Sequence, residues 1–132
     1  MDEKTRDHFT RIIALAQATF EHVESVVDTT PARAILRLPA SYGPYRTLVT
    51  ELLSDGLRKY SYYVLRGNWV EAGFDNSPDP RALRLKYGQI GAAHAGEHVP
   101  HLHQHDKTEL SLTAEMTFDA FVDWVTTTIQ PA

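Results

Sequence analysis

Two dipeptides, Asp55-Gly56 and Gly67-Asn68, do most to decide what this chain can fold into. Both tolerate the positive φ of tight hairpin turns. Each lies between segments that read as strands: Tyr45–Leu53, then Lys59–Leu65, then Trp69–Phe74. Three consecutive strands joined by tight turns make an antiparallel meander. Ala32–Leu38 adds a strand before them, with Ala34, Leu36 and Leu38 alternating with Arg33, Ile35 and Arg37. Such alternation buries one face and turns the arginines outward. Pro39 to Pro44 reads as the connecting loop.

The flanks have a different period. Phe9, Ile12, Ile13, Ala16, Phe20, Val23 and Val27 recur at three- and four-residue steps, which predicts a helix over Asp7–Val27. Asp2, Glu3 and Asp7 suit the positive end of its dipole, and Thr29-Thr30-Pro31 ends it. Near the C-terminus, Thr117 can cap a helix whose stripe is Phe118, Phe121, Val122, Val125 and Ile129. Between these lie a turn-rich stop at 75–80, a segment Arg81–Tyr87 that fits a fifth strand or a short helix, a small-residue loop from Gly88 to Gly96, and an extended His101–His105. The predicted fold is α+β: an antiparallel meander sheet of four to six strands, with an N-terminal and a C-terminal helix packed on one face. The other face would carry the strand arginines. No repeat or linker divides the 132 residues, so a single domain over 1–132 is expected.

Composition removes several functions. There is no cysteine, which excludes disulfides, thiolate metal sites and a cysteine nucleophile. No apolar run approaches the roughly 18 residues of a membrane span, and the acidic start Met1-Asp2-Glu3-Lys4 is unlike a secretory signal, so a cytoplasmic protein without membrane partners is expected. Neither a Gly-rich phosphate loop nor Gly-x-Ser-x-Gly is present. The net charge of −4 disfavours general nucleic-acid binding, but it divides into −3 over 1–30, +4 over 31–90 and −5 over 91–132. The middle segment either binds anions or is a solvated sheet face decorated with arginine.

Five of the seven histidines lie between His94 and His105. On a strand, His101, His103 and His105 would share a face with neighbours roughly 6.5–7 Å apart. One reading is a divalent metal such as zinc, bridged by two of them with a third ligand from His98, Glu97, Asp106 or Glu109. Another is acid–base chemistry, because imidazoles titrate near neutrality. A surface histidine-rich loop is the third. Asp75-Asn76-Ser77-Pro78 makes a turn by its own hydrogen bonds, or else Asp75 orients a histidine and Asn76 binds substrate. Tyr60 and Tyr62 share one strand face and Tyr63 takes the other; such tyrosines pack a core or stack RNA bases.

Lys59-Tyr60-Ser61-Tyr62-Tyr63, a hairpin, Phe74-Asp75-Asn76-Ser77-Pro78, Pro100-His101-Leu102-His103 and a terminal helix together resemble the TumE-like toxins of bacterial and archaeal toxin–antitoxin modules. The likeness spans roughly Tyr45 to Ile129. It implies a small cytoplasmic growth inhibitor, encoded beside a DNA-binding antitoxin, with RNA or the ribosome as target. Combined with the residue chemistry, it leads to a metal-independent endoribonuclease without cofactor. His101 and His103 would be the acid–base pair, with Asp75 the orienting group and Asn76 on the substrate. Arg66, Arg84 and Lys86 would contact phosphate. The alternative is a non-catalytic binding or accessory module with a metal at His98, His101 and His103. A homodimer is compatible with either.

Overall fold

A computed structural model describes residues 1–88 and 93–131. The order is α1 (Glu3–Thr19), β1 (Val26–Thr29), β2 (Ala34–Tyr42), β3 (Tyr45–Ser54), β4 (Leu57–Arg66), β5 (Trp69–Asp75), α2 (Pro80–Tyr87), β6 (His101–Gln104), β7 (Glu109–Leu112) and α3 (Phe118–Thr128). All seven strands form one antiparallel sheet in the order β1-β2-β3-β4-β5-β6-β7. The class is therefore the expected α+β meander, with one strand more than the upper count. Asp55 and Gly56 both have positive φ, as does Gly67, so the two turns adopt the conformations their residues favour.

One sheet face packs under α1 and α3. Ala34, Leu36 and Leu38 of β2, Val49 of β3, Tyr60, Tyr62 and Val64 of β4 and Phe74 of β5 meet Phe9, Ile12 and Ala16 of α1 and Phe118, Phe121 and Val125 of α3. Thr117 caps α3 by accepting from the Ala120 N–H at 3.1 Å, and Asp2 caps α1 through the Thr5 N–H at 2.7 Å. Glu51 is fully buried on this face. It accepts from Tyr62 Oη, from His8 Nε2 at 2.8 Å and from Arg58 Nε at 3.4 Å, which ties α1 to the sheet.

Two expectations change and one open alternative is decided. The helical stripe does not run to Val27: α1 stops at Thr19, His22 takes a left-handed φ of 54°, and Val26–Thr29 pair with β2. Val26 and Val27 are β-branched and favour the sheet, where all four β1 residues stay exposed. Pro39 is not in a loop but within β2. Its carbonyl accepts from the Glu24 N–H, so its ring nitrogen faces the irregular segment before β1, where no ladder bond is lost. Arg81–Tyr87 takes the helical alternative, because Asp79 accepts from the Arg81 N–H at 2.8 Å and Pro80 sits at the first helical position. Of the Gly88–Gly96 loop, residues 89–92 lie outside the described ones.

Among the described residues, the second sheet face is covered by α2 only at its β6–β7 end, where Ala82 and Leu83 pack on Val99 and Leu110. Register lays its side chains out in rows across the strands. One row runs Val26, Arg37, Thr50, Ser61, Asp75, His101, Leu112. The next runs Pro39, Leu48, Tyr63, Gly73, His103, Leu110.

Candidate functional site

Asp75 and His101 are direct neighbours across β5 and β6, and His103 is one step along the same face. Asp75, His101 and His103 are all buried, and one ligand atom of each lies within 4.8 Å of the others. His101 Nε2 is 3.1 Å from Asp75 Oδ1 and 3.2 Å from His103 Nε2, and His103 Nε2 is 3.5 Å from Asp75 Oδ2. Asp79 Oδ2 reaches to 3.9 Å from His101 Nε2 and 4.0 Å from His103 Nε2. Asp79 is placed there by its capping role at α2.

Supporting groups orient each member. His101 Nδ1 donates to the Val99 carbonyl at 2.6 Å, which turns Nε2 inward. Asp75 Oδ1 accepts from the Ser77 N–H at 3.0 Å and Ser77 Oγ at 2.8 Å, and Oδ2 accepts from Tyr63 Oη at 3.2 Å. Burial alone would raise the Asp75 pKa. Hydrogen bonds from His101, His103 and Ser77 outweigh it and hold the carboxyl well below the usual carboxylate range. Burial would likewise lower His101, but the bond to Asp75 and the Val99 carbonyl raise it above its ordinary value. Burial, with the Asp75 charge added, pushes the Tyr63 phenol up, so it stays protonated and donates.

With His101 protonated, its Nε2–H serves Asp75 Oδ1 at 3.1 Å while Nδ1–H serves the Val99 carbonyl, so the cluster is satisfied as a hydrogen-bonded group. The same inward-facing atoms, with His101 and His103 Nε2 only 3.2 Å apart, also have the spacing of ligands to one ion. Ligand atoms around a tetrahedral ion are about 3.3 Å apart when bonds are ~2.0–2.1 Å, close to the separations within the group. The buried Asp75–His101–His103 set can thus hold a metal ion, with Asp79 at the edge as a fourth donor. One contact opposes this as the side chains stand. Arg81 Nη2 lies 3.4 Å from His103 Nδ1. Arginine only donates, so that bond puts the His103 proton on Nε2, where an ion would bind. A bound ion requires the half-exposed Arg81 side chain to turn away.

The other expected residues lie elsewhere. His105 is outside β6, exposed, with a left-handed φ of 49° and its Nε2 3.4 Å from Glu109. The period-two pattern therefore breaks before the third histidine. His98 Nδ1 bonds the Asn76 carbonyl at 3.1 Å, outside the metal-capable group. Asn76 spends its amide on β4: Oδ1 accepts from the Tyr60 N–H at 3.0 Å and Nδ2 donates to the Arg58 carbonyl at 2.8 Å. It lengthens the β4–β5 ladder by one side chain instead of facing a ligand. Arg66 lies over the Tyr45 ring, and Lys86 pairs with Glu97 at 3.6 Å. Among the described residues, neither they nor Arg84 touch Asp75, His101 or His103; Arg81 does. Sequence reasoning missed Asp79, Arg81 and the Tyr63 hydroxyl. Asp79-Pro80 was the available signal, because Asp before Pro marks a helix start, and a cap there points Asp79 and Arg81 back at β6.

Comparison with family models, with curated proteins and with solved structures found no match to the chain.

Proposed function

We propose that the protein acts on RNA as a toxin of the TumE-like kind, and that its reactive centre is a divalent metal site formed by Asp75, His101 and His103, with Asp79 as fourth donor. The observation that carries the metal assignment is the convergence of three buried ligand atoms at separations of 3.1, 3.2 and 3.5 Å, close to those around a tetrahedral ion. Two imidazoles and carboxylates suit zinc or another borderline first-row ion. When bound, such an ion supplies charge to a phosphoryl oxygen and lowers the pKa of water. The protein's own part is orientation. Val99 fixes the His101 tautomer, Ser77 and Tyr63 hold Asp75, and Arg81 is released toward a substrate anion when His103 Nδ1 takes the proton. RNA as the substrate rests on the family likeness and on the cationic sheet face beside the site.

A specific observation favours a second reading, the metal-independent acid–base nuclease. The Arg81–His103 contact, as it stands, makes His103 Nε2 a proton donor. Against it, catalytic imidazoles must reach a base position and a leaving oxygen on different sides of one phosphate. Here their Nε2 atoms are only 3.2 Å apart.

The test is metal analysis of purified protein, followed by incubation with total RNA with and without chelator. Stoichiometric metal with chelator-sensitive cleavage supports the first reading. Metal-free cleavage indifferent to chelator selects the second. A protein that binds metal, leaves RNA intact and does not arrest growth is a binding module instead.

A further inference from the structure

The two side-chain rows that contain the site do not stop there. They continue across the uncovered sheet face, and their chemistry divides cleanly. Outward from Asp75 the first row is Ser61, Thr50 and Arg37. Outward from His103, past Gly73, the second is Tyr63, Leu48 and Pro39. Ser61, Thr50, Tyr63, Leu48 and Pro39 are half-buried and Arg37 is exposed, so a hydroxyl-and-cation line runs beside an aromatic-and-aliphatic line, each partly open to solvent. An uncovered antiparallel sheet face is ordinarily polar; here three half-buried apolar side chains lie in line on it.

We infer that this face is the track for a single-stranded RNA segment leading into the Asp75–His101–His103 centre. Its sugar–phosphate chain would lie along Ser61, Thr50 and Arg37, and its bases on Tyr63, Leu48 and Pro39. The inference rests on the RNA reading above. Charge favours a polyanion over a protein partner. Exposed Arg46 and Lys59 point to the same face by their alternation with buried Thr47 and Tyr60, and neither has an ion-pair partner among the described residues. Lys107 Nζ adds a cation 5.2 Å above the Tyr63 ring. The acidic side chains at the outer part of the face include Asp28, held by Arg37 at 3.0 Å, and Glu24, which shares a shallow pocket with Pro39, Arg46 and Leu48. Size also agrees. From β5 to β2 is three strand spacings, about 14 Å, enough for a few nucleotides. Duplex RNA would not serve, because its bases are not free to stack on side chains.

The probe is a fluorescein-labelled 2′-O-methyl oligouridylate of about six nucleotides, which lacks the reactive hydroxyl, with binding read by anisotropy at low salt. Thr50→Glu and Leu48→Ala lie outside the metal cluster. Thr50→Glu is expected to weaken binding by about tenfold and Thr50→Lys to strengthen it. Leu48→Ala is expected to weaken it several-fold without changing the salt dependence. Circular dichroism melts confirm that each variant is folded. Wild-type protein that fails to bind, or Thr50 variants of both signs that bind like wild type, overturns the track. So does a Thr50→Glu protein that keeps its RNA affinity but loses a co-purified protein partner. The same variants assayed with ordinary RNA separate the two ideas. Track-dependent binding without any cleavage fails the nuclease reading alone, and cleavage that ignores both rows fails the track alone.

Discussion

Tyr63 lies directly across Gly73: a Cβ at position 73 would fall 2.2 Å from Tyr63 Cε1. The two face each other on β4 and β5. The missing side chain lets the ring lie over the sheet, where its hydroxyl reaches Asp75 Oδ2. Its plane is within 20° of the His103 ring at a centroid distance of 6.4 Å.

Gly73→Ala is therefore expected to push the Tyr63 ring off the sheet and remove one donor from Asp75. Overpacking of this kind costs about 1–3 kcal/mol, read as a lower urea midpoint. In a double-mutant cycle with Tyr63→Ala the effects should be clearly non-additive, because the second change removes the clash made by the first. Additive losses would mean that the ring already lies elsewhere.

Ser77→Ala removes the hydroxyl donor to Asp75 Oδ1 and leaves the backbone donor in place. Metal affinity should drop by about 10–100-fold, measured by competition with a chromogenic chelator. Arg81→Ala should act in the opposite direction, because it removes the group that holds the His103 proton on the inward nitrogen. Equal affinities in wild type and Arg81→Ala would show that the arginine contact does not compete with an ion.

Metal-free protein kept in chelator should show a stability plateau with two edges. Asp75 has a lowered pKa, so its contribution is present above the ordinary value of 3.8 and is lost as pH falls through the folded value. His101 has a raised pKa, so its contribution is complete below the ordinary 6.5 and is lost as pH rises through the folded value. Asp75→Asn should flatten the alkaline edge, since the main group raising His101 is gone. Urea midpoints across the pH range check this, and an alkaline edge unchanged in Asp75→Asn would contradict it.

Glu51→Ala strips the buried carboxylate from Arg58, His8 and Tyr62. Breaking a buried pair costs about 3–5 kcal/mol, and the lower end is expected because Arg58 keeps a side-chain exposure of 21%. Thermal unfolding should show the loss. Metal binding by the folded fraction should be unaffected, because Glu51 faces the helices and the cluster faces away from them.

The sheet was legible because Asp55-Gly56 and Gly67-Asn68 are local signals with local consequences. The alternation of Tyr60, Tyr62 and Tyr63 likewise separated two core side chains from the one beside the site. Where helix α1 ends was not legible, because Phe20, Val23 and Val27 continue the helical spacing by coincidence while tertiary pairing draws Val26–Thr29 to β2. Asp75, His101 and His103 could be nominated by type and position. That β5 and β6 pair in the register that joins them is a long-range fact, and so is the arrival of Asp79 and Arg81 from α2. Asn76 shows the reverse case. Its motif drew attention to it as a ligand group, whereas its amide substitutes for a strand's backbone.

Every strand of the sheet pairs with the strand next to it in sequence. A chain with that order can assemble progressively as it is made, adding one edge at a time, and most of its β contacts span short loops. The long exception is the step from β5 to β6, which spans α2 and the segment after it. A nascent chain thus carries Asp75 on an orderly sheet edge well before His101 and His103 have emerged. The three-residue ligand set is therefore complete only once β6 has paired with β5.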